Sequence, residues 1–559
     1  MAHQTKYIFV SGGVISALGK GITAASVAFL LKRRGFSVCP IKCENNLNVD
    51  FGTINPIEHG DPFLCFDGLE GDQDCGNYER FLNQEIGFKN FMTMGQLYST
   101  VINNERNMRY DGEDVEPIPH IVDEILRRIR KAAKDSKADF CVIELGGTVG
   151  EYENNNGLYY EAARLLALKE PVAHVHVTYV LEPPHIGEPK TKPAQFGLKD
   201  LMSMGVIPNF IVVRAQHPID RQRKYKFGIK FGIEEQDIFN AENLSDIHQV
   251  PLHLHEQGLD LRILKHFNIK KKTNIKIDDW KKFVKKTLAK KKNTTKIAIV
   301  GKYFGTGDSQ LNDSYHALFH AIEHAATSAD TDVEYILVNS EKEEKTMTKK
   351  LKNADGIIVP IGWGNRGIEG KINAIKYARE KKIPYLGLCY GMQLACIEYA
   401  RNVLKLEDAQ TEEVSPKAKN KIIHSIPFNE KYQTIKGENT SMRLGTFDCV
   451  IKEGTIAFDI YTKHFSKKEL NYNAKDKTIT VGERHRHRFE FNNEYRKLFE
   501  DSEFIFSGVS PDNFFVEMIE LPKDEHPFFV ATQAHPEYRS YPLQPHPMFI
   551  EFIKASLKK

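Results

Sequence analysis

The sequence predicts an α/β protein made of two parallel-sheet domains joined by a helical linker. Three observations predict it. Short apolar runs ending in Gly, Lys or Glu alternate with segments of helical period. That rhythm breaks near residue 267 and restarts at 296, and 559 residues exceed what one hydrophobic core can organise.

The first strands are "KYIFVSGG" (6–13), "FSVCPIKC" (36–43) and "ADFCVIELGG" (138–147), with "AASVAFLLKRR" as an intervening helix. Continuous apolar runs suit strands buried on both faces of a doubly wound, Rossmann-like sheet, whose ligands gather at the carboxyl ends of its strands. Twelve Lys then fall between Lys270 and Lys296, and among them Trp280, Phe283, Val284 and Leu288 recur at helical spacing after Asp278–Asp279. This predicts an amphipathic linker helix with a solvated basic face. "KIAIVGKY", "ADGIIVPIGWG", "IPYLGLCYGMQLACIEYA" and "FFVATQAHPE" carry the second alternation. The expected domains are 1–269, a Lys-rich linker at 270–295, and 296–559.

Composition narrows the function. Seventy-seven Lys and Arg against 74 Asp and Glu leave +3, which argues against a dedicated nucleic-acid or membrane surface. The eight Cys form no repeated close pairs of the zinc-ribbon kind. There is no signal-like start, and no apolar run approaches the ~20 residues that span a bilayer. A cytoplasmic protein is expected.

"FVSGGVISALGKGITAA", from Phe9, is close to a phosphate-binding P-loop but departs from it twice. Gly13 precedes Gly19–Lys20 by five residues instead of four, and Gly21 stands where a Ser or Thr hydroxyl normally reaches Mg²⁺. Backbone N–H groups and a helix start can still hold phosphate oxygens, with Lys20 as the point charge. Mg²⁺ then needs carboxylates, and Asp74, Asp72 and Glu144 at the end of "FCVIELGG" are the candidates. Lys42 ends the second strand near the same edge. "GEPKTKPAQ" (187–195) reads as an extended, Pro-bounded segment presenting Lys190, Lys192 and Gln195 to a second polyanion.

"GLCYGMQ" has the G-x-C-x-G form of a nucleophile elbow, which exposes Cys389 on a strained strand-to-helix turn with the Tyr390 N–H as an oxyanion donor. "AHPE" lies 146 residues downstream and supplies His535 and Glu537 as base and orienting carboxylate.

Together these strings resemble the CTP synthase family over nearly the whole chain. "GKY", "RGIEGKI", "IPYLGLCYGMQ", "SMRLG" and "ERHRHRFE" are similar to its class I glutamine amidotransferase domain. "GGVISALGKGI", "NVDFGTINP", "HGD", "NYERF", "IPHI", "IELGGTVGE" and "KTKPAQ" are similar to its amidoligase domain. The resemblance implies the last step of de novo pyrimidine nucleotide synthesis: ATP-dependent amination of UTP to CTP at C4, through a 4-phosphorylated intermediate, with ammonia freed from glutamine at a Cys-His-Glu site. It implies ATP contacts at Ala17, Leu18, Gly19, Lys20, Gly21, Ile22 and Asp74, and Mg²⁺ on Asp74 and Glu144. Lys20 and Lys42 would stabilise the moving phosphoryl group. UTP or inhibitory CTP would meet Ser16, Glu151, Tyr152, Glu153, Lys190, Thr191, Lys192, Pro193, Ala194, Gln195 and Lys226. Glutamine would meet Gly362, Tyr390, Gly391, Met392, Gln393, Glu413 and Arg486. GTP activation, homotetramers and filaments are implied as well.

The chain departs from the family in "PIGWG", where Ile361 replaces a Gly beside the oxyanion hole, and in "ENNLNVDFG" and "ERNMRYDG", beside the nucleotide sites. Two other readings compete. One is another ATP-dependent amidoligase with a fused glutaminase, such as the cobyrinic acid diamide synthases. The other is a divergent regulatory or filament-forming paralogue whose glutaminase Ile361 weakens.

Overall fold

The computed structural model describes residues 4–55, 60–151, 156–183, 185, 187–270, 274–302, 304, 315–341, 347–362, 364–427 and 441–557. It divides into two compact units, Met1–Gly52 with Asp74–Leu288, and Thr53–Gln73 with Ala289–Lys559.

The first unit is built on seven strands: β1 Lys6–Gly12, β2 Val38–Glu44, β3 Phe91–Thr93, β4 Phe140–Leu145, β5 Val172–Tyr179, β6 Phe210–Ala215 and β7 Ile238–Glu242. They run in the order β3-β2-β4-β1-β5-β6-β7, and every neighbouring pair is parallel. β1 is central because its Ile8, Phe9 and Val10 are wholly buried, and it carries the P-loop at its carboxyl end. Helix α1 (Lys20–Arg33) starts immediately after that loop, with Gly19 at φ 87° in the left-handed region that glycine enters without strain. Its Ala24–Leu31 stretch is buried against the sheet.

Helix α2 (Gln73–Leu82) brings Asp74 and Tyr78 into this unit. After α3 (Lys192–Ser203) and α4 (Arg221–Phe231), the Lys-rich stretch forms one helix, α5 (Asp278–Leu288). Its Trp280 packs on Phe29 and Phe81, with ring centroids 4.6 and 5.4 Å away, and its indole N–H donates to His248 O at 2.8 Å. Burial of such a ring is worth roughly 3–5 kcal/mol against alanine, so the apolar face anchors the helix while the lysines stay in water. Leu288, counted with that face in the sequence, is instead 50 % exposed.

The main sheet of the second unit has nine strands: β8 Asn293–Gly301, β9 Thr331–Asn339, β10 Gly356–Val359, β11 Tyr385–Leu388, β12 Arg443–Lys452, β13 Thr478–His487, β14 Ile505–Val509, β15 Val516–Glu520 and β16 Phe529–Thr532, with helix α6 (Ile368–Lys381) joining β10 to β11. Their order is β9-β8-β10-β11-β16-β15-β14-β12-β13. The half from β9 to β16 is parallel, and from β16 onward the pairs are antiparallel. Residues 53–73 belong here although they come from the first half of the sequence. Their small antiparallel ladder, Phe63–Leu64 on Glu70–Gly71, is tied down by Thr446 N–H to Phe66 O at 2.8 Å, Arg484 Nη1 to Leu64 O at 2.8 Å and Tyr538 OH to Pro62 O at 3.1 Å. A Cβ on Gly445 would lie 2.9 Å from Gly68 N, so this seam needs glycine at 445, whose φ is +105°.

Candidate functional site

At the carboxyl end of the first sheet, Lys42 is the hub. Its Nζ donates to Asp74 Oδ2 at 2.5 Å and Glu144 Oε1 at 2.9 Å, and pairs with Glu44 Oε1 at 3.1 Å. Parallel register explains the meeting, because Lys42 and Glu144 are direct partners on β2 and β4. Burial, then the neighbouring Asp74 charge, pushes Glu144 up to about 7 against the pull of Lys42. Tyr78 OH also donates to Glu144 Oε2. Lys20 Nζ donates to Gly147 O, and burial lowers its pKa.

The absent Walker hydroxyl has a steric reason. A Cβ on Gly21 would lie 1.9 Å from Asp74 Oδ1 and 2.4 Å from its Cγ. The carboxylate fills the space that a Ser or Thr side chain would take, so an acid from α2 stands where a hydroxyl from α1 would be. Among the described residues no group of three or more His, Cys, Asp and Glu forms a ready metal cage. Two hard carboxylates at a phosphate loop nevertheless suit Mg²⁺, which completes its shell with waters and phosphate oxygens. The loop itself is contorted. Val14 and Ala17 have φ of 86° and 54°, and Ser16 and Ala17 are exposed while Leu18 is buried. Ile22 follows in the first turn of α1.

The segment expected to be extended is only partly so. Lys190 pairs by a β-bridge with Leu181, but helix α3 (Lys192–Ser203) starts directly after Thr191. Pro193 occupies the first turn, where its fixed φ and missing N–H favour a helix start. Ala194 and Gln195 are therefore buried on α3, with Gln195 Oε1 accepting from Lys230 Nζ at 2.5 Å, whereas Lys192 is exposed. Lys190 pairs with Glu188 at 2.8 Å, and Lys226 is exposed on α4 (Arg221–Phe231). Glu151 is half-buried; Tyr152 and Glu153 lie outside the described residues.

In the second unit Cys389 sits at φ 52°, ψ −101°, between β11 and helix α7 (Tyr390–Asn402), as an elbow requires. Gly391 is needed because a Cβ there would lie 2.0 Å from Val359 O. The Cys389 N–H is anchored to Thr532 O at 2.7 Å, and Gln533 Nε2 donates to the sulfur at 3.5 Å. His535 is fully buried, and its Nδ1 meets Glu537 Oε1 at 2.8 Å. Burial alone would lower the pKa of this imidazole, but Glu537 and the Cys389 sulfur raise it to about 10. A thiol, an imidazole and an orienting carboxylate are the groups that acyl transfer uses.

The residues expected around glutamine gather partly. Glu413 accepts from Gly364 N–H at 2.8 Å, and Tyr390 OH donates to Gly364 O at 3.2 Å. A Cβ on Gly362 would come 3.4 Å from the Tyr390 ring. Arg486 Nε donates to Glu70 Oε1 at 2.5 Å. Gln393 is turned inward, its Nε2 donating to Phe489 O at 2.9 Å and Gln533 Oε1 at 3.0 Å. The Met392 side chain packs in the hydrophobic core.

Comparison with known proteins fits both halves. The family described as CTP synthase N-terminus matches residues 6–269, and glutamine amidotransferase class-I matches 310–555. The chain is 42 % identical over 560 residues to "CTP synthase" of Geobacillus kaustophilus, covering all of both chains. It is likewise 42 % identical over 557 residues to "CTP synthase" of Pyrococcus furiosus, covering 99 % of this chain and 98 % of that one. The chain belongs to the CTP synthase family. It is a glutamine-hydrolysing ligase by that membership.

Within this CTP synthase chain, Ile361 does not require a left-handed backbone, since its φ is not positive. It is 2 % exposed and packs with Phe304, Leu386 and Leu388. Its carbonyl and that of Pro360 accept from Lys371 Nζ at 3.3 and 2.9 Å. Sequence reasoning missed Glu44, Tyr78, Lys371 and Gln533 as site residues. Tyr78, Lys371 and Gln533 lie inside "NYERF", "RGIEGKI" and "FFVATQAHPE", so the strings were visible, but a role that exists only as a contact across the sheet was not. Among the described residues no helix is long and apolar enough to cross a membrane.

Proposed function

We propose that the chain makes CTP from UTP, ATP and glutamine. The observation that carries this is one chain, related end to end to CTP synthases, that keeps the Lys42–Asp74–Glu144 ion pairs and sets Cys389 on a strained elbow in the same unit as the His535–Glu537 pair.

At the elbow, His535 already holds the proton of the Cys389–His535 pair, and the Cys389 sulfur attacks the glutamine amide carbon. The oxyanion is met by N–H groups at the start of α7 and in the Ile361–Gly362 segment. His535, held by Glu537, gives its proton to the leaving nitrogen and then takes one from water to hydrolyse the thioester. At the other site the loop from Ala17 to Ile22 holds ATP phosphates by backbone N–H groups, and Lys20 places a positive charge on them. Asp74 and Glu144 would hold Mg²⁺, which when bound neutralises charge on the transferring phosphoryl group. Lys42, already between those carboxylates, opposes the burial that raises Glu144 and adds charge stabilisation. Phosphorylating the uracil 4-oxygen makes it a leaving group that ammonia can displace at C4. Ser16, Glu151–Glu153, Lys190–Gln195 and Lys226 are proposed to hold the pyrimidine nucleotide, and GTP activation and a homotetramer are proposed by family.

The ordinary backbone at Ile361 supports an active glutaminase over a silenced one. The test is CTP formation with glutamine and, separately, with ammonium chloride. Cys389→Ala must abolish the first and keep the second. Loss of both overturns the two-site scheme, and a wild-type protein that forms no CTP from either nitrogen source overturns the reading itself.

A further inference from the structure

We propose that Asp61 forms a subsite for released ammonia, its carboxylate accepting an N–H from the nitrogen that leaves when the Cys389 thioester forms. The proposal rests on the glutaminase reading above.

Asp61 comes from the 53–73 segment and is 6 % exposed, yet its Oδ1 has no hydrogen-bond partner among the described residues. Its backbone is fixed on both sides. Gln73 Nε2 donates to Asp61 O, and Tyr538 OH donates to Pro62 O at 3.1 Å. Tyr538, which holds Pro62, also packs its ring 5.5 Å from that of His535, so the segment that carries Asp61 reaches the Cys389–His535 pocket of the second unit. Arg486, His535, Glu537 and Lys371 are the charged groups that act on Asp61, and Arg486 Nε donates to Glu70 Oε1 at 2.5 Å. Burial raises the Asp61 carboxyl to about 7, against the pull of Arg486 and His535.

A buried carboxylate lacking an N–H donor is costly, and such a group is kept where a ligand supplies the donor. The chemistry of this pocket names that ligand. When the Cys389 S–C bond forms and the amide C–N bond breaks, the proton on His535 goes to nitrogen and neutral ammonia is left with three N–H groups. Asp61 accepts one of them. His535 is then free to deprotonate the hydrolytic water, and nitrogen held at Asp61 stays within reach of the thioester carbon, so the step can also run in reverse from bound ammonia. The competing N–H donor in the pocket is the α-ammonium of glutamine, for which Glu413 stands beside Gly364.

The test is reversal of the same step in the full-length protein. ¹⁵N-ammonium chloride is supplied with glutamine, and ¹⁵N entering glutamine is measured against glutamate released. Both rates are normalised to the fraction of Cys389 labelled by 6-diazo-5-oxo-L-norleucine. In Asp61→Ala the exchange-to-hydrolysis ratio is expected to fall by about tenfold or more, the range of a lost hydrogen bond to a charged group. Asp61→Asn, of equal size, falls less, and Asp61→Glu recovers most of the ratio. A ratio unchanged in both Asp61→Ala and Asp61→Asn overturns the proposal, as does a raised KM for glutamine with the ratio intact, which would assign Asp61 to the α-ammonium. If the wild type neither hydrolyses glutamine nor is labelled at Cys389, the glutaminase reading fails first and takes the subsite with it.

Discussion

Gly21→Ala is the most direct probe of why this P-loop lacks a hydroxyl. The added Cβ falls 1.9 Å from Asp74 Oδ1, far inside contact distance, so the carboxylate must swing away. Asp74 then loses its 2.5 Å bond from Lys42 and its 3.1 Å bond from Asn77. Losing a charge-assisted bond costs about 1.5–3 kcal/mol, and forcing a methyl into filled space about 1–3 kcal/mol. If about 2–4 kcal/mol of this is felt in the transition state, ammonia-dependent CTP formation slows by roughly 30- to 1,000-fold. Helix propensity works the other way, since Ala in a helix is about 1 kcal/mol better than Gly. That offsets only part of the steric and hydrogen-bond cost, so the variant should unfold somewhat earlier than wild type while remaining folded in the assay and losing turnover. Glutamine hydrolysis, measured in the absence of nucleotides, should be preserved. The effect must also be non-additive, because in an Asp74→Ala background Gly21→Ala has nothing left to displace. Turnover within threefold of wild type, or full additivity in the double mutant, would refute the steric account.

Other expectations follow from the second unit. Gln533→Leu removes the donor to the Cys389 sulfur and the acceptor for Gln393, and should cut glutaminase kcat/KM by about tenfold, one buried hydrogen bond's worth, with ammonia-dependent turnover retained. Ile361→Gly should not raise glutaminase activity, because the backbone there is ordinary, and should destabilise the protein by about 2–5 kcal/mol through the cavity it leaves; a gain in turnover would contradict the structure. Glu483, fully buried, accepts from Tyr461 OH at 2.6 Å and meets His546 Nε2 at 3.0 Å. Burial would raise its pKa, but His546 and Arg539 hold it down at about 2. A depressed carboxylate contributes stability above its unfolded pKa of about 4.3 and loses it as pH falls toward 2. Glu483→Gln should therefore flatten the decline of the denaturation midpoint between those pH values, and an unchanged decline would show that Glu483 does not govern it.

What the sequence by itself determined is whatever depends on near neighbours along the chain. Apolar runs predicted buried parallel strands such as β1 and β4, and G-x-C-x-G predicted the strained turn at Cys389, because backbone sterics act within a few residues. His535 and Glu537, two positions apart, needed only one short segment to meet. Tertiary structure decided what depends on chain crossings. Residues 53–73 lie far in sequence from β12, β13 and Tyr538, so neither period nor composition could bring Pro62 to the Tyr538 hydroxyl. Pro193 reads locally as a breaker of an extended segment, but a helix start tolerates it equally, and only the packing of Ala194 and Leu198 against the sheet chose between them. Gly21 is the clearest case. The sequence showed that a hydroxyl was missing, and only the fold showed a carboxylate already standing in its place.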